Sequence, residues 1–395
     1  MNNLPHVSYN SLKGNIKSSF IVLFLYSFFI FLRLNNFEYK PSYFINAGEI
    51  FCDTKRIPKN LVVVKKSGYD GQFYYRFSLN PFTSKLTEFG ITLDAPPYRH
   101  QRIVYPFLVW LLSFGGNFEL VPAVMIIVNL FFIFGFSFMV AEYLKFLGYS
   151  WIEVVLFSLQ PGFILSLSRN LTEIVGSFFL VSFFVFFKKN KFFLAKVFLI
   201  LGLLSKETLL VVPVVGILIS IYFYFRKKIN KNYFLAVVRV FIISSIVWFL
   251  WQIILFFNWG KFSFYYGRDN FGMPFSGIYT YLTNLSIFKD TYFLGFALIL
   301  VFVFFVSLGV IFSFRFVKKN FVDSLIKFVW VGYLLELIFA SHKLWDNVNP
   351  LRVFLEFFIL SFMILYITRN KFRISFNIIY IFMWLGIFYI RIKML

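Results

Sequence analysis

Apolar runs of membrane-spanning character recur along this chain, and no other feature constrains its fold as strongly. They cover residues 18–34, 120–143, 151–168, 171–187, 192–205, 207–225, 233–257, 291–313, 321–340, 352–368 and 375–390. A helical span needs about 20 predominantly apolar residues. Of the 395 residues, 60% are hydrophobic and 14% charged, whereas a soluble domain carries about a quarter charged residues. The charge needed to cover a water-facing surface is missing. A soluble enzyme, a nucleic-acid binder and a disordered scaffold are therefore excluded. Transmembrane barrels alternate apolar and polar residues, and runs such as FLVSFFVFF do not. The 63 phenylalanines fit AT-rich codon usage, which raises Phe, Ile, Lys and Asn together, better than a recognition code. The lone Cys52 excludes an internal disulfide and a cysteine-based metal site.

The basic residues set the expected topology. A net charge of +22 would point to nucleic acid in a soluble protein, but here Lys and Arg flank apolar runs, the positive-inside pattern. Lys13 and Lys17 precede an uncut first run, which reads as a signal anchor with a cytoplasmic N-terminus. A long polar stretch follows. Ile103–Phe114 is apolar but short for a span. If it does not cross, then Lys145, Lys188/Lys189/Lys191, Arg226/Lys227/Lys228/Lys231, Arg315/Lys318/Lys319 and Arg369/Lys371/Arg373 all fall in the cytoplasm; if it does, all five clusters flip outward. The expectation is one all-α polytopic domain over 1–395 with about 11 transmembrane helices. Residues 35–119 form a long first extracytoplasmic loop with juxtamembrane helices, and 120–395 form the remaining bundle.

Under that topology the unusual ionisable residues converge on the outer side. Short interhelical turns are usually neutral, because charge near hydrocarbon is costly. Here the turn SRNLTE holds Arg169 and Glu173, and LSKET holds Lys206 and Glu207. Spacing of i and i+4 allows Arg169 and Glu173 a local ion pair, while adjacent Lys206 and Glu207 cannot face each other on a helix. The bland alternative is interfacial snorkelling. In the first loop, GYDGQFYYRFSLNPF (68–82) sets Asp70 between Gly68 and Gly71, with Tyr69, Gln72, Phe73 and Tyr74 close by. Glycines let backbone turn or approach a ligand. Aromatic rings desolvate a carboxylate, which raises its pKa toward the range useful to a general base. An Asp-Gly turn in an interfacial aromatic belt explains the same residues equally well. Downstream, APPYRHQRIVYPFLVWLL (95–112) carries Arg99 and Arg102 at i and i+3, suited to a phosphate or diphosphate headgroup. Arg352, in SHKLWDNVNPLR, reaches the same side. The three histidines show no metal-ligand spacing, and no phosphate-binding loop, G-x-S-x-G, C-x-x-C or H-E-x-x-H occurs.

At these residues the chain resembles the GT-C glycosyltransferases, in which a first span and a long outer loop with an early catalytic carboxylate precede many spans. YDGQFYY with PPYRHQRIVYPFLVWLL is similar to bacterial multi-pass proteins of cell-surface glycopolymer formation. It also resembles the W-D-G-x-W-Y motif of PIG-V-type mannosyltransferases, with Tyr69 where that motif has Trp. SRNLTEIVGSFF resembles the R-x-x-x-D segment of protein O-mannosyltransferases, with Glu173 in place of Asp. LSKET and NPLRVFLEFF resemble later cation-bearing segments. The resemblance implies a GT-C fold and a hexosyl- or mannosyltransferase of the cell envelope, inverting at the anomeric carbon. A polyprenyl-phosphate-sugar would be the donor and a glycan or lipid-linked molecule the acceptor. Asp70 would be the base, with Tyr69, Gln72, Tyr74, Arg99, Arg102, Arg169, Glu173, Lys206, Glu207 and Arg352 contacting substrate. It implies the bacterial cytoplasmic membrane, an extracytoplasmic active site and no dissociable cofactor. No metal ligand is assigned; an ion shared by Asp70 with Asp94 or His100 has no support in the spacing. The competing functions are a flippase or exporter and an O-antigen-type polymerase of lipid-linked oligosaccharide. A polymerase tends to carry its large outer loops late, and a flippase needs no large loop after the first span. The largest loop here is the first, which favours the transferase.

Overall fold

The computed structural model of the chain describes residues 9–284, 291–317, 320–346 and 348–394; Lys318 and Lys319 of the basic clusters lie outside them. Helix α1 (Tyr9–Asn36) leads into the long loop. Within that loop lie the short helices α2 (Gly71–Leu79), α3 (Pro96–His100) and α4 (Val104–Leu112). The loop also holds two two-stranded ribbons. Ala47–Gly48 pairs in parallel with Val63–Val64, and Thr87–Glu88 pairs antiparallel with Ile91–Thr92. Phe89 and Gly90 close the second ribbon, both at positive φ (52° and 72°), the geometry of a two-residue hairpin turn. The bundle follows as α5 (Val121–Lys145), α6 (Trp151–Ser158), α7 (Pro161–Leu167), α8 (Glu173–Lys188), α9 (Phe192–Leu203), α10 (Val211–Phe225) and α11 (Lys231–Trp259). After the short α12 (Phe264–Gly267) and α13 (Ser276–Asn284) come α14 (Thr291–Ser313), α15 (Phe321–Phe339), α16 (Pro350–Val353), α17 (Leu355–Ile367) and α18 (Phe372–Lys393).

Each expected apolar run is helical. Six described segments are long and apolar enough to cross a membrane: Gly14–Asn36, Val121–Lys145, Glu207–Phe225, Lys231–Trp259, Gly295–Phe316 and Phe372–Lys393. Phe24, Phe131, Leu218, Phe249, Phe304 and Phe382 on these segments point outward and are exposed, so the helices are apolar on the outside as well as inside. That pattern belongs in lipid. Helices α8 and α17 are buried along nearly their whole length and form the centre. Gly216 allows α10 to meet α11 closely, since a Cβ there would sit 2.4 Å from the Phe241 ring; small residues at such contacts let helices approach. Helix α4 has nine residues, about 14 Å at 1.5 Å per residue, too short to span.

The run 151–168 is broken between α6 and α7 because Pro161 has no N–H for the carbonyl of Phe157. Gln160 Nε2 supplies the missing donor at 2.6 Å. Tyr26 of α1 donates to the carbonyl of Gln160 at 3.1 Å and lies 3.3 Å from that of Ser158. With no water in hydrocarbon, a broken helix persists only where neighbours satisfy its backbone like this.

The two ends of the bundle differ. At one end Lys189 pairs with Glu142 at 2.6 Å, Lys17 lies over Trp151, Arg369 donates to the carbonyl of Leu147, and Arg373 lies over Tyr149. The described members of the basic clusters gather here. At the other end the first loop caps the turns α7–α8, α9–α10, α11–α13 and α15–α17.

Candidate active site

Two close backbone contacts assemble that second end. At Gly71, the first residue of α2, a Cβ would lie 2.2 Å from the carbonyl oxygen of Arg169. At Gly162 it would lie 2.2 Å from that of Leu351. Only glycine fits either place, so the first loop, the α7–α8 turn and α16 are held against one another. Gly68, at φ +68°, packs on the Gly48 backbone. The glycines beside Asp70 therefore seat the loop on its scaffold, which is the turn-forming one of their two expected uses. Gln72 serves the same end. It is 1% exposed, its Oε1 accepts from Gly48 N at 3.0 Å and its Nε2 donates to Ser67 O at 3.0 Å.

Below this roof is a cavity of about 860 Å³. Asp70, Arg99, Arg102, Glu173, Lys206, Glu207 and Arg352 line it, together with Tyr98, Trp248, Glu336 and an apolar wall that includes Val211, Leu335 and Phe339. Of the expected site residues, Tyr69, Gln72, Tyr74 and Arg169 do not line it.

The charges are paired between segments, not within turns. Arg99 lies 2.8 Å from Asp70 Oδ2, and it grips Asp94 through Nε (3.0 Å) and Nη2 (2.6 Å). Arg102 makes a two-pronged contact with Glu207 at 2.8 and 2.6 Å and donates to the Tyr74 hydroxyl at 3.0 Å. Arg352 pairs with Glu173 and donates to the Tyr69 hydroxyl at 2.9 Å. Lys206 pairs with Glu356 at 2.7 Å. The local Arg169–Glu173 pair that the spacing allowed does not form; Arg169 instead stacks on the Tyr69 ring, 3.8 Å from its centre. These pairs, far apart in sequence except for Asp94–Arg99, hold the charged groups in fixed orientations. Planar forks favour such two-pronged geometry.

Asp70 ends the loop at the start of α2. Its Oδ2 faces Arg99, and among the described residues no donor meets Oδ1. Burial by itself works to raise its carboxyl, but Arg99, Arg352 and Arg102 outweigh burial and hold it below the usual carboxylate value. The expectation of a raised value is corrected, because three cations override the rings. His100 is separate from this site. Its ring is placed so that Nε2 meets the Pro81 carbonyl at 2.8 Å and Nδ1 accepts from Trp259 Nε1 at 3.1 Å. Burial pushes it down to about 4. Both nitrogens are occupied, and Asp70 and Asp94 share Arg99. Among the described residues no group of three or more His, Cys, Asp or Glu is placed to hold a metal ion.

Sequence reasoning did not single out Glu356, Glu336 or the Asp94–Arg99 link. Glu356 offered a signal, as a carboxylate within an apolar helix and four residues after Arg352. Asp94 offered none, since its partner is set by the fold of the loop.

No protein family and no curated protein matches the chain. Among solved structures it is similar to the crystal structure of an Archaeoglobus fulgidus oligosaccharyltransferase tethered to an acceptor peptide containing the NVT sequon. That similarity has a TM-score of 0.43 and 14% identity, over 91% of this chain and 55% of the other. This chain thus spans about half the length of that protein.

Proposed function

We propose that this protein is an integral-membrane glycosyltransferase of GT-C type. It moves a sugar from a polyprenyl-phosphate-linked donor to a glycan or lipid-linked acceptor, with Asp70 as general base. The observation that carries the reading is Asp70 itself: a carboxylate with one oxygen on Arg99 and the other without a donor, on the wall of a cavity shared with Arg102 and Arg352. The acceptor hydroxyl attacks the anomeric carbon, its proton passes to Asp70, and the bond from that carbon to the phosphate oxygen breaks with inversion. The leaving polyprenyl phosphate carries the negative charge. Arg99, Arg102 and Arg352 are held beside the same cavity, and each guanidinium has more N–H groups than its protein partners use. The apolar wall accommodates the lipid end of the donor. Parity of the basic clusters supports a cytoplasmic N-terminus and an active site on the extracytoplasmic side of a bacterial cytoplasmic membrane.

The test is transfer by the purified protein in lipid nanodiscs, with polyprenyl-phosphate sugars as donors and mass spectrometry of the products. Transfer that is lost in Asp70→Asn supports the reading. Absence of transfer from every donor, with movement of labelled lipid-linked glycan across vesicles, would replace the enzyme by a flippase.

A further inference from the structure

Glu336, on the last turn of α15, lines the cavity beside Leu335, Phe339 and Gly332. Among the described residues it has no hydrogen-bond or ion-pair partner. Every other carboxylate on the cavity wall is joined to a cation: Asp70 to Arg99, Glu173 to Arg352, Glu207 to Arg102. The charged groups that act on Glu336 are Glu356, Lys206 and Glu207. Lys206 is already committed to Glu356 at 2.7 Å and to the Val353 carbonyl at 2.9 Å. Arg102 is committed to Glu207. This corner therefore holds three carboxylates against two cations, and Glu336 is the excess. Oε1 of Glu356 lacks a partner but is buried behind the wall, so Glu336 is the carboxylate that faces the cavity without a counter-charge. A partly enclosed carboxylate with no counter-charge is costly unless something brings one, and a protonated amine brings one charge and three N–H donors.

We propose that Glu336 is a specificity residue that receives a protonated amino group on the sugar handled in this cavity. The proposal rests on reading the cavity as a lipid-linked-sugar site. Neither Asp70 nor the arginines can take this part, since the first is neutralised by Arg99 and the others repel a cation.

The test is a binding comparison in nanodiscs at pH 7 with two probes, farnesyl-phosphate-linked glucosamine and its N-acetyl counterpart, which carry an ammonium and an uncharged acetamide at the same carbon. Hydrogen bonds to charged groups are worth about 1.5–3 kcal/mol, so the wild-type protein should bind the free amine roughly ten- to a hundredfold more tightly. Glu336→Gln should erase the preference while leaving the affinity for the N-acetyl probe in place. Glu336→Asp, which keeps the charge, should retain part of it. Equal binding of both probes by the wild type, or a preference that survives in Glu336→Gln, would overturn the assignment of Glu336 and leave the transferase reading standing. Binding of neither probe would remove the lipid-linked-sugar reading and this proposal with it.

Discussion

At the residue scale the proposed base, Asp70, carries the sharpest test. Asp70→Asn keeps size but cannot accept a proton, and general-base catalysis contributes typically 10²–10⁴-fold, so turnover should fall at least about a hundredfold. Asp94 is not a neutral control for this experiment, because it grips Arg99 on the side away from Asp70. Asp94→Asn should lower turnover about tenfold, since an unanchored guanidinium orients less well. Asp53→Asn, whose partner is an exposed Arg56, should leave the rate unchanged. The sign of the pH dependence follows from the direction of the Asp70 shift. Its folded-state value lies below the ordinary carboxylate value, so the reactive ionised form persists above that range and is lost only as pH falls through the folded value. The pH–rate profile should therefore be flat from pH 6 to 8, with its acid limb below pH 4. An acid limb near pH 6 would show that the three arginines do not control this carboxyl. Lys206 and Glu356 are 3% and 1% exposed. Breaking a buried pair from one side costs about 3–5 kcal/mol, so Lys206→Ala should lower the thermal unfolding midpoint clearly, whereas Lys261→Ala, at an exposed site, should not.

Individual elements show where the chain departs from regular helix and how the departure is sustained. The α6–α7 break depends on three side chains: Gln160, Tyr26 from α1 and Tyr380 from α18, whose hydroxyl donates to Gln160 Oε1 at 3.0 Å. Tyr26→Phe removes the donor to the freed carbonyls and the acceptor of Trp384 Nε1 at 3.1 Å. An unsatisfied buried polar group costs about 1–3 kcal/mol, and Tyr26→Phe should lose that much in equilibrium unfolding in detergent. Apolar periodicity located this run but could not show that it is two helices, although Pro161 marked the place. Helix α2 is a similar case. Its residues read as an aromatic-rich turn, and only contact with Arg169 explains why Gly71 must open it.

For the whole molecule, the prediction is topological. The described basic clusters collect at one end of the bundle and the cavity at the other. Reporters fused after Phe114 and at Glu207 should therefore report the same side, and a reporter at Lys189 the opposite one. A cytoplasmic signal at both Phe114 and Glu207 would invert the bundle and remove the extracytoplasmic site.

Sequence alone determined the class of fold and the distribution of charge. Long apolar runs with few charges have one stable solution in lipid, the helix, because its backbone bonds are made within the segment. Basic residues between the runs order them by side. Those are local properties, additive along the chain. The partners of the charges are not local. Arg102 lies 105 residues from Glu207, Lys206 150 from Glu356, and Arg352 179 from Glu173. In SRNLTE the spacing allowed a neighbour, Arg169, as partner of Glu173, and packing brought the distant Arg352 instead. The same holds for Asp70. Its aromatic neighbours are written beside it, but the three arginines that hold its carboxyl down come from α3, from just beyond it and from α16. Coulomb energy depends on separation in space, so only the tertiary structure decides which charge a residue feels.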